Sequence, residues 1–256
     1  MNSVITICWF VIGLVMGSFY HVVGYRLPKN ESILTPKHSY CPDCGKKLEK
    51  RDLIPVISYV LSLGKCRHCK SKISIFYPVV EVLTGLLFAL CYHMFNYSYE
   101  FYIGVILSSL FIIILVSDIT YYIIPDEVLI IGSILIIVLK IIFTGFIETG
   151  LSILSGGLMF IVMYLIMLLG NFMFKKESLG GADIKLMFIS GLVLGPILSL
   201  IVIFLSSIIA LPIAIVLSVV NNERMIPYGP FITIAIFILF ILKIDVNKII
   251  EFLTIV

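Results

Sequence analysis

Residues 178–186 read Ser178-Leu179-Gly180-Gly181-Ala182-Asp183-Ile184-Lys185-Leu186, and the 35 residues from Leu186 to Val220 carry no charged side chain. A bilayer is crossed by a helix of about 20 apolar residues, so this run belongs in a membrane. Asp183 lies at the edge of that run. A carboxylate there is costly and is usually turned toward a protein interior or a water-filled cavity, where it often has a function.

The uncharged run is too long for one span. As a single helix its 35 residues would extend about 52 Å at ~1.5 Å per residue, against a hydrocarbon core of ~30 Å. It therefore holds two passes. Gly195-Pro196 is the predicted break, with Pro212 as the alternative.

The whole chain has the composition of a helical membrane protein, since 61% of its 256 residues are hydrophobic and 13% are charged. Helices are expected because a backbone inside the bilayer must pair its own polar groups, and the alternation typical of membrane strands is missing. The amino terminus lacks the features of a removable signal peptide, so the first span should be retained. The sequence predicts an all-α polytopic protein with about eight transmembrane helices: Val4–Val23, Ile75–Met94, Phe101–Val116, a fourth ending near Phe143, Leu151–Phe174, two within 186–220, and a last ending near Leu242.

Basic residues are concentrated in one loop. Eleven of the 18 Lys and Arg lie between Arg26 and Lys72. Such a loop could bind nucleic acid, but positive charge also retains loops in the cytoplasm; we favour the second interpretation and expect no nucleic-acid partner. With the loop Lys29–Ser74 in the cytoplasm, counting the spans places Asp118 and Asp183 at the same cytoplasmic face.

Two aspartates at one membrane face suggest acid–base chemistry. Carboxylates brought together at low dielectric cannot both ionise easily, so they share a proton. The charged group can then activate water while the protonated group polarises a scissile carbonyl. Asp118 and Asp183 are therefore the predicted catalytic pair of a membrane-embedded aspartic protease; the alternative is two unrelated interfacial aspartates.

Residues around the two aspartates have simpler interpretations. Gly180-Gly181 lets a backbone or peptide substrate approach closely. Lys185 either pairs with Asp183 or extends its ammonium group to the membrane surface. Asp126 follows Pro125 at a helix start, where a carboxylate satisfies amide donors and the helix dipole.

Three further polar residues lie at the ends of the first two spans. Glu81 is about one turn inside the second span, where it either pairs with a loop lysine or supports the site. His21 is predicted to be hydrogen-bonded at a helix interface, with a role in the site as the alternative. Arg26 is predicted to reach lipid headgroups, with binding of an anionic ligand as the alternative.

The basic loop contains two Cys-x-x-Cys pairs, Cys41 with Cys44 and Cys66 with Cys69, and 21 residues separate the two pairs. Paired spacing of this kind predicts a tetrahedral zinc site that folds a loop with little core of its own. Disulfides and a redox motif are the alternatives, and a reducing cytoplasm argues against disulfides. His38 and His68 are spare candidate ligands, whereas Cys8 and Cys91 lie in apolar spans as small hydrophobic residues. The predicted zinc ligands are Cys41, Cys44, Cys66 and Cys69.

A further segment of the loop, Asp52–Leu63, is moderately apolar. This predicts a short helix that lies on the membrane surface.

Together these features resemble the type IV prepilin peptidase family, the GxGD-type membrane aspartic proteases. Ala182 stands at the second glycine of that pattern, and His21 stands where family members usually carry asparagine. The resemblance covers nearly the whole chain and is carried by Gly17-Ser18-Phe19 through Arg26-Leu27-Pro28, the two cysteine pairs, Tyr77-Pro78-Val79-Val80-Glu81, Asp118 through Ile124-Pro125-Asp126, Gly180 through Lys185, and Pro227-Tyr228-Gly229-Pro230.

The resemblance implies that Asp118 and Asp183 are catalytic, and Gly180, Gly181, Lys185 and Glu81 are taken as supporting residues. It implies leader removal from prepilins or pseudopilins at the cytoplasmic face of the bacterial inner membrane. It also implies S-adenosylmethionine-dependent methylation of the new amino terminus, an activity linked to the amino-terminal half. Residues 1–100 would then be the methyltransferase part and 101–256 the peptidase part, and the residues that bind the methyl donor are unknown.

Two other functions are compatible with parts of the pattern. A zinc-stabilised membrane scaffold or transporter would also carry broken helices and intramembrane carboxylates, although transport sites lie near the bilayer midplane. A thiol oxidoreductase would use the cysteine pairs, and bound zinc would argue against it.

Overall fold

The computed structural model describes residues 2–33, 39–41, 43–175, 180–221 and 226–244. These residues form helices and short turns, and within them the only β-structure is two isolated bridges. The all-α fold is therefore confirmed. The helices are α1 (Asn2–Arg26), α2 (Ile57–Leu61), α3 (Phe76–Phe95), α4 (Tyr99–Tyr121), α5 (Asp126–Thr144), α6 (Phe146–Phe174), α7 (Gly181–Leu194), α8 (Pro196–Asn221) and α9 (Gly229–Leu242).

Six of the described helices are long and apolar enough to cross a membrane: α1, α3, α4, α5, α6 and α8. The chain is thus a multi-pass membrane protein, as predicted. The other two predicted spans correspond to α7 and α9, which have 14 residues each. At ~1.5 Å per residue each is about 21 Å long, shorter than a hydrocarbon core of ~30 Å.

The break in the uncharged run is at Gly195-Pro196, as predicted. Gly195 has φ +78°, a conformation that glycine adopts without penalty, and it separates α7 from α8. Pro196 is the first residue of α8, where its missing N–H costs nothing. Pro212, the alternative break, lies inside α8.

The contacts divide the chain into two units. The first comprises Met1–Phe101 and Ile112–Ile123. In this unit α1 and α3 pack backbone to backbone, because a Cβ on Gly13 would lie 2.7 Å from the Cα of Gly85, and one on Gly17 would lie 2.8 Å from the Cα of Glu81. Small residues at such spacing allow the closest approach of membrane helices.

The second unit comprises Tyr102–Phe111 and Ile124–Val256. Here α6 and α7 are the closely packed pair. A Cβ on Gly191 would lie 2.6 Å from the carbonyl oxygen of Ser155, and one on Gly156 would lie 2.8 Å from that of Phe188. This contact fixes α7, the helix that carries Asp183, against the longest helix of the described chain.

Candidate active site and metal centre

Asp118 lies in the last turn of α4 and is buried, with 6% of its surface exposed. The helix ends just beyond it because Tyr122 adopts a left-handed conformation, with φ +56°. The Tyr122 N–H donates to the Asp118 carbonyl oxygen at 2.9 Å and so closes the helix. The sequence thus places a buried carboxylate at the end of an apolar helix, as predicted.

Asp183 lies in the first turn of α7 and is also buried, with 8% exposed. Its N–H donates to the Gly180 carbonyl oxygen at 3.2 Å. A Cβ on Gly180 would lie 3.3 Å from Oδ2 of Asp183, whereas one on Gly181 would meet nothing within 4 Å. Of the two glycines, Gly180 is therefore the one that makes room for the carboxylate.

The two aspartates belong to different units, Asp118 to the first and Asp183 to the second. Each of the two residues is buried. Their action as a pair stays a prediction.

The two glycines make a matched test of the Asp183 position. We expect Gly180→Ala to displace the Asp183 carboxylate by a few tenths of an ångström and to lower the cleavage rate about tenfold, since small misplacements of reacting groups are costly. Gly181→Ala should change the rate less than ~2-fold by the same argument. Initial rates on a purified prepilin would measure both, and equal losses would contradict the assignment.

Lys185 forms an ion pair with Asp126, with Nζ 2.6 Å from Oδ1. The structure thus shows an ion pair of Lys185 that the sequence did not predict, since pairing with Asp183 or extension to the membrane surface was expected. Asp126 is the first residue of α5, and Pro125 occupies the N-cap position, so the carboxylate binds lysine rather than acting as the cap residue. The pair joins the first turns of α5 and α7 beside Asp183.

Glu81 is buried in α3, with 8% of its surface exposed. Its Oε2 accepts a hydrogen bond of 2.7 Å from the backbone N–H of Val56, a residue of the basic loop. The Ser18 side chain of α1 is a second hydrogen-bond partner. Glu81 therefore ties the loop to α1 and α3 through a backbone amide. Among the described side chains no lysine pairs with it, which favours the supporting role over the alternative of a loop ion pair.

The backbone at Val56 is strained. Val56 has φ +60° and ψ −50°, which is unfavourable for a β-branched residue. The Ile57 N–H donates to the Pro55 carbonyl oxygen at 2.6 Å, which makes Pro55–Ile57 a γ-turn of the rare, strained kind. Such a turn persists only where its surroundings hold it. The bond from Val56 to Glu81 is the contact that can hold it.

Glu81→Met is expected to release this turn. It leaves the Val56 N–H without its acceptor, at a cost of ~1–3 kcal/mol. Hydrogen exchange should then accelerate in residues 56–61. Glu81→Gln, which keeps an acceptor oxygen, should largely preserve protection. Unchanged exchange in Glu81→Met would show that the contact does not hold the loop.

His21 and Arg26 also contact their own unit. His21 is buried and stacks on Tyr77, with ring centroids 3.9 Å apart. This confirms the interface position, but the contact that forms there is aromatic stacking and not the predicted hydrogen bond. The Arg26 guanidinium donates to the carbonyl oxygens of Ser32 and Ile33 at 3.3 and 3.4 Å. Arg26 therefore binds the start of the loop, a role that the sequence did not predict.

The four predicted metal ligands come together in the folded loop. The Sγ atoms of Cys41, Cys44, Cys66 and Cys69 all lie within 4.8 Å of one another. The distance from Cys41 Sγ to Cys69 Sγ is 3.8 Å. A tetrahedral ion with metal–sulfur bonds of ~2.3 Å separates its sulfur ligands by ~3.8 Å, so the cluster has the size that such an ion needs.

The cluster is built from two turns with the same backbone pattern. In the first turn, the Cys41 N–H donates to the Lys46 carbonyl oxygen and the Gly45 N–H donates to the Cys41 carbonyl oxygen. In the second turn, the Cys66 N–H donates to the Ser71 carbonyl oxygen and the Lys70 N–H donates to the Cys66 carbonyl oxygen. The flanking bridges, Tyr40 with Lys47 and Lys65 with Lys72, also correspond. Gly45 and Lys70 occupy equivalent positions and both have positive φ, +67° and +61°. The paired cysteines are visible in the sequence, whereas this structural repeat is not.

Two of these cysteines are also the only buried residues in the part of the loop that the structure describes. Among the described residues from 29 to 74, the buried ones are Cys41 and Cys66. A segment that buries so little apolar surface cannot offset its own conformational entropy. A bound metal would supply the missing stabilisation.

The charge on the thiols suits metal binding. Hydrogen bonds from Ser71 lower the pKa of Cys69 to about 6. The backbone amide of Cys44 is the largest cause that lowers the pKa of Cys41. At Cys44 a hydrogen bond with the Lys46 backbone lowers the pKa, but desolvation and the neighbouring thiols outweigh it and raise the pKa to about 11. Negative charge therefore resides first on Cys69 and Cys41, and a metal would displace the proton of Cys44.

The remaining candidate ligands and cysteines are separate from the cluster. His68 is exposed and is not one of its four members, and His38 lies outside the described residues. All six cysteines are described and none forms a disulfide. Cys91 is buried in α3, while Cys8 is exposed on α1.

The fold and these residues define a polytopic membrane protein with buried aspartates at helix ends and a loop that could hold a metal ion. Its sequence matches the profile of the bacterial peptidase A24 N-terminal domain over residues 11–95 and that of the type IV leader peptidase family over residues 105–215. No solved structure matches the chain.

Curated relatives agree with these profiles. A prepilin leader peptidase/N-methyltransferase of Bacillus subtilis is 35% identical over 73% of this chain and 72% of its own length. The protein of the same name from Neisseria gonorrhoeae is 30% identical over 90% of this chain and 88% of its own. A protein of Escherichia coli named type 4 prepilin-like proteins leader peptide-processing enzyme is 28% identical over 87% of this chain and 88% of its own length.

The chain belongs to the type IV leader peptidase family. It is therefore an enzyme, a membrane peptidase whose relatives are named for leader cleavage and N-methylation. This favours the peptidase over the scaffold, transporter and oxidoreductase alternatives.

Proposed function

We propose that the chain is an aspartic endopeptidase that removes the leader peptide of type IV prepilins or pseudopilins. The observation that carries the proposal is the burial of Asp118 and Asp183 at the ends of α4 and α7 in a member of the leader peptidase family. Buried carboxylates of this kind are costly in a membrane protein and are usually functional.

The chemistry follows from a shared proton. The ionised carboxylate takes a proton from water, whose oxygen attacks the scissile carbonyl carbon, while the protonated carboxyl group donates to the carbonyl oxygen. When the tetrahedral intermediate collapses, the C–N bond breaks and the leaving amine takes up a proton. The supporting residues act through position: Gly180 leaves room for Asp183, Gly181 leaves space open for a substrate backbone, and the Lys185 pair joins α5 to α7.

The active site faces the cytoplasm of a bacterial inner membrane in this proposal. The concentration of 11 of 18 basic residues between Arg26 and Lys72 supports that orientation. Counting the spans from this loop then brings both aspartates to the same face.

The loop holds a structural zinc ion in this proposal. Four thiolates closing a tetrahedral site leave no open position for a reactant, which is typical of structural zinc. When bound, the ion would cross-link the two turns through Cys41, Cys44, Cys66 and Cys69. Glu81 would then attach the zinc loop to α3.

Methylation of the new amino terminus is the second proposed activity. It is supported by the relatives' names, and S-adenosylmethionine would be the methyl donor. We assign this activity to residues 1–100 and cleavage to residues 101–256. No residue is assigned to the methyl donor.

The proposal is tested by co-expressing the chain with a candidate prepilin and reading the mass of the product. Loss of the leader is expected with the wild-type chain and not with Asp183→Asn. A prepilin that keeps its leader beside inserted wild-type protein would contradict the proposal for that substrate.

The two activities are expected to be separable. Replacing Asp118 and Asp183 together by Asn should stop cleavage, while methyl transfer to a pre-cleaved pilin should continue because the catalytic carboxylates take no part in it. Transfer of a labelled methyl group would measure this. If the wild-type protein transfers no methyl group to a cleaved pilin, the methyltransferase assignment is wrong and the peptidase assignment stands.

A further inference from the structure

An apolar groove of about 490 Å³ lies between the loop helix α2 and the spanning helix α3. Its volume falls within the range of ~300–1,000 Å³ typical of small-molecule sites. The wall from α3 is one helical face. The groove is lined by Tyr59 of α2, by Ile75 just before α3, and by Pro78, Val79, Val82, Leu83 and Leu86 of α3.

The groove lies where a membrane span meets a polar loop. Val79 and Leu86 are exposed on α3 and therefore face the hydrocarbon, while Ile75 stands at the end nearest the loop. Tyr59 packs against Gly64, since a Cβ on Gly64 would lie 2.9 Å from the Tyr59 Oη. The groove is thus lined by apolar and aromatic side chains, and its Ile75 end is the one nearest the loop.

The loop helix α2, which contributes Tyr59 to the groove, has further apolar side chains in and beside it. Ile57, Val60, Leu61 and Leu63 are all exposed, although they belong to the most polar segment of the chain. Such a patch facing water would be a liability. It is typical of a segment that sits in the interface of a membrane.

Positive charge lies close in the chain to the Ile75 end of the groove. Lys65 and Lys72 are exposed and lie opposite each other in a β-bridge, and Lys72 is three residues before Ile75. From Arg26 to Lys72 the chain has 11 Lys and Arg against four Asp and Glu. Basic segments next to a membrane span attract anionic lipid headgroups.

We propose that the groove between α2 and α3 binds an acyl chain of an anionic glycerophospholipid, whose headgroup meets Lys65 and Lys72. The lipid would join the basic loop, which carries the four cysteines, to α3. The inference concerns the first unit alone and does not depend on which substrate the enzyme cleaves.

Lipid retention in native mass spectrometry tests this inference. Purified full-length protein is exchanged into mixed micelles with palmitoyl-oleoyl phosphatidylglycerol or the corresponding phosphatidylcholine. The wild type should retain phosphatidylglycerol preferentially. Leu83→Trp fills the groove and should weaken retention of phosphatidylglycerol by ~10-fold or more, because a change in the shape of an apolar pocket has an effect of that size on binding. Leu90→Trp, two turns further along α3 and outside the groove, should leave retention unchanged.

A second pair of variants tests the headgroup. Lys65→Gln with Lys72→Gln should abolish the preference for phosphatidylglycerol, while Lys46→Gln with Lys47→Gln, an equal change of charge in the other turn, should keep it. Metal content and helicity must match the wild type in every variant. Equal retention of both lipids by the wild type, or equal effects of the two tryptophans, would overturn the proposal. Binding of an apolar peptide should be measured on the same variants. If Leu83→Trp loses peptide binding while its lipid retention is unchanged, the groove is a peptide site and the proposal is wrong.

Discussion

Asp118→Asn and Asp183→Asn are each expected to lower the cleavage rate by at least ~10²–10⁴-fold, the contribution of general acid–base catalysis. The two carboxylates act as one unit in the proposed mechanism, so removing either disables it. The double variant should therefore be hardly slower than a single one. The rate should also have a bell-shaped dependence on pH, because one carboxylate must be ionised and the other protonated.

Asp126→Asn is the matched control for these variants. It changes the same chemical group near the start of α5, but its carboxylate pairs with Lys185 at an exposed site, where the side chains are 57% and 44% exposed. Exposed pairs contribute ~0–1 kcal/mol, so the rate should fall by less than about fivefold. Purified, inserted protein and a prepilin substrate are needed. Substantial activity in either single variant, or an equal loss in Asp126→Asn, would defeat the assignment.

Cys66→Ser is expected to abolish stoichiometric zinc binding and to unfold the loop. Cys66 is one of the two buried side chains of the described loop, and structural zinc contributes apparent free energies of ~10–16 kcal/mol in small zinc domains. Wild-type protein should carry one zinc ion per chain by elemental analysis. Proteolysis within residues 43–74 should accelerate in the variant and in chelator-treated wild type.

Cys91→Ser and Cys8→Ser are the controls for the zinc experiment. Both remove a thiol from an apolar helix, and neither thiol belongs to the cluster. Their zinc content and loop protection should match the wild type. Absence of zinc from wild-type protein purified under reducing conditions would contradict the structural-zinc assignment.

The sequence by itself determined the helical membrane fold, the four thiols and the carboxylate positions. These follow from local patterns. The length of an uncharged run decides whether it can span, a glycine-proline pair decides where the 186–220 run breaks, and two Cys-x-x-Cys pairs carry their ligand geometry within short turns. The position of Asp118 near the end of α4 was equally readable, because polar residues follow an apolar run.

Only the tertiary structure decided which side chains meet across segments. Lys185 pairs with Asp126, 59 residues away, and Glu81 binds the amide of Val56, 25 residues away. Two adjacent glycines look alike in the sequence, yet only Gly180 lies against the Asp183 carboxylate. The physical reason is that hydrophobicity and turn preference act along the chain, whereas a contact between distant side chains depends on how the helices pack.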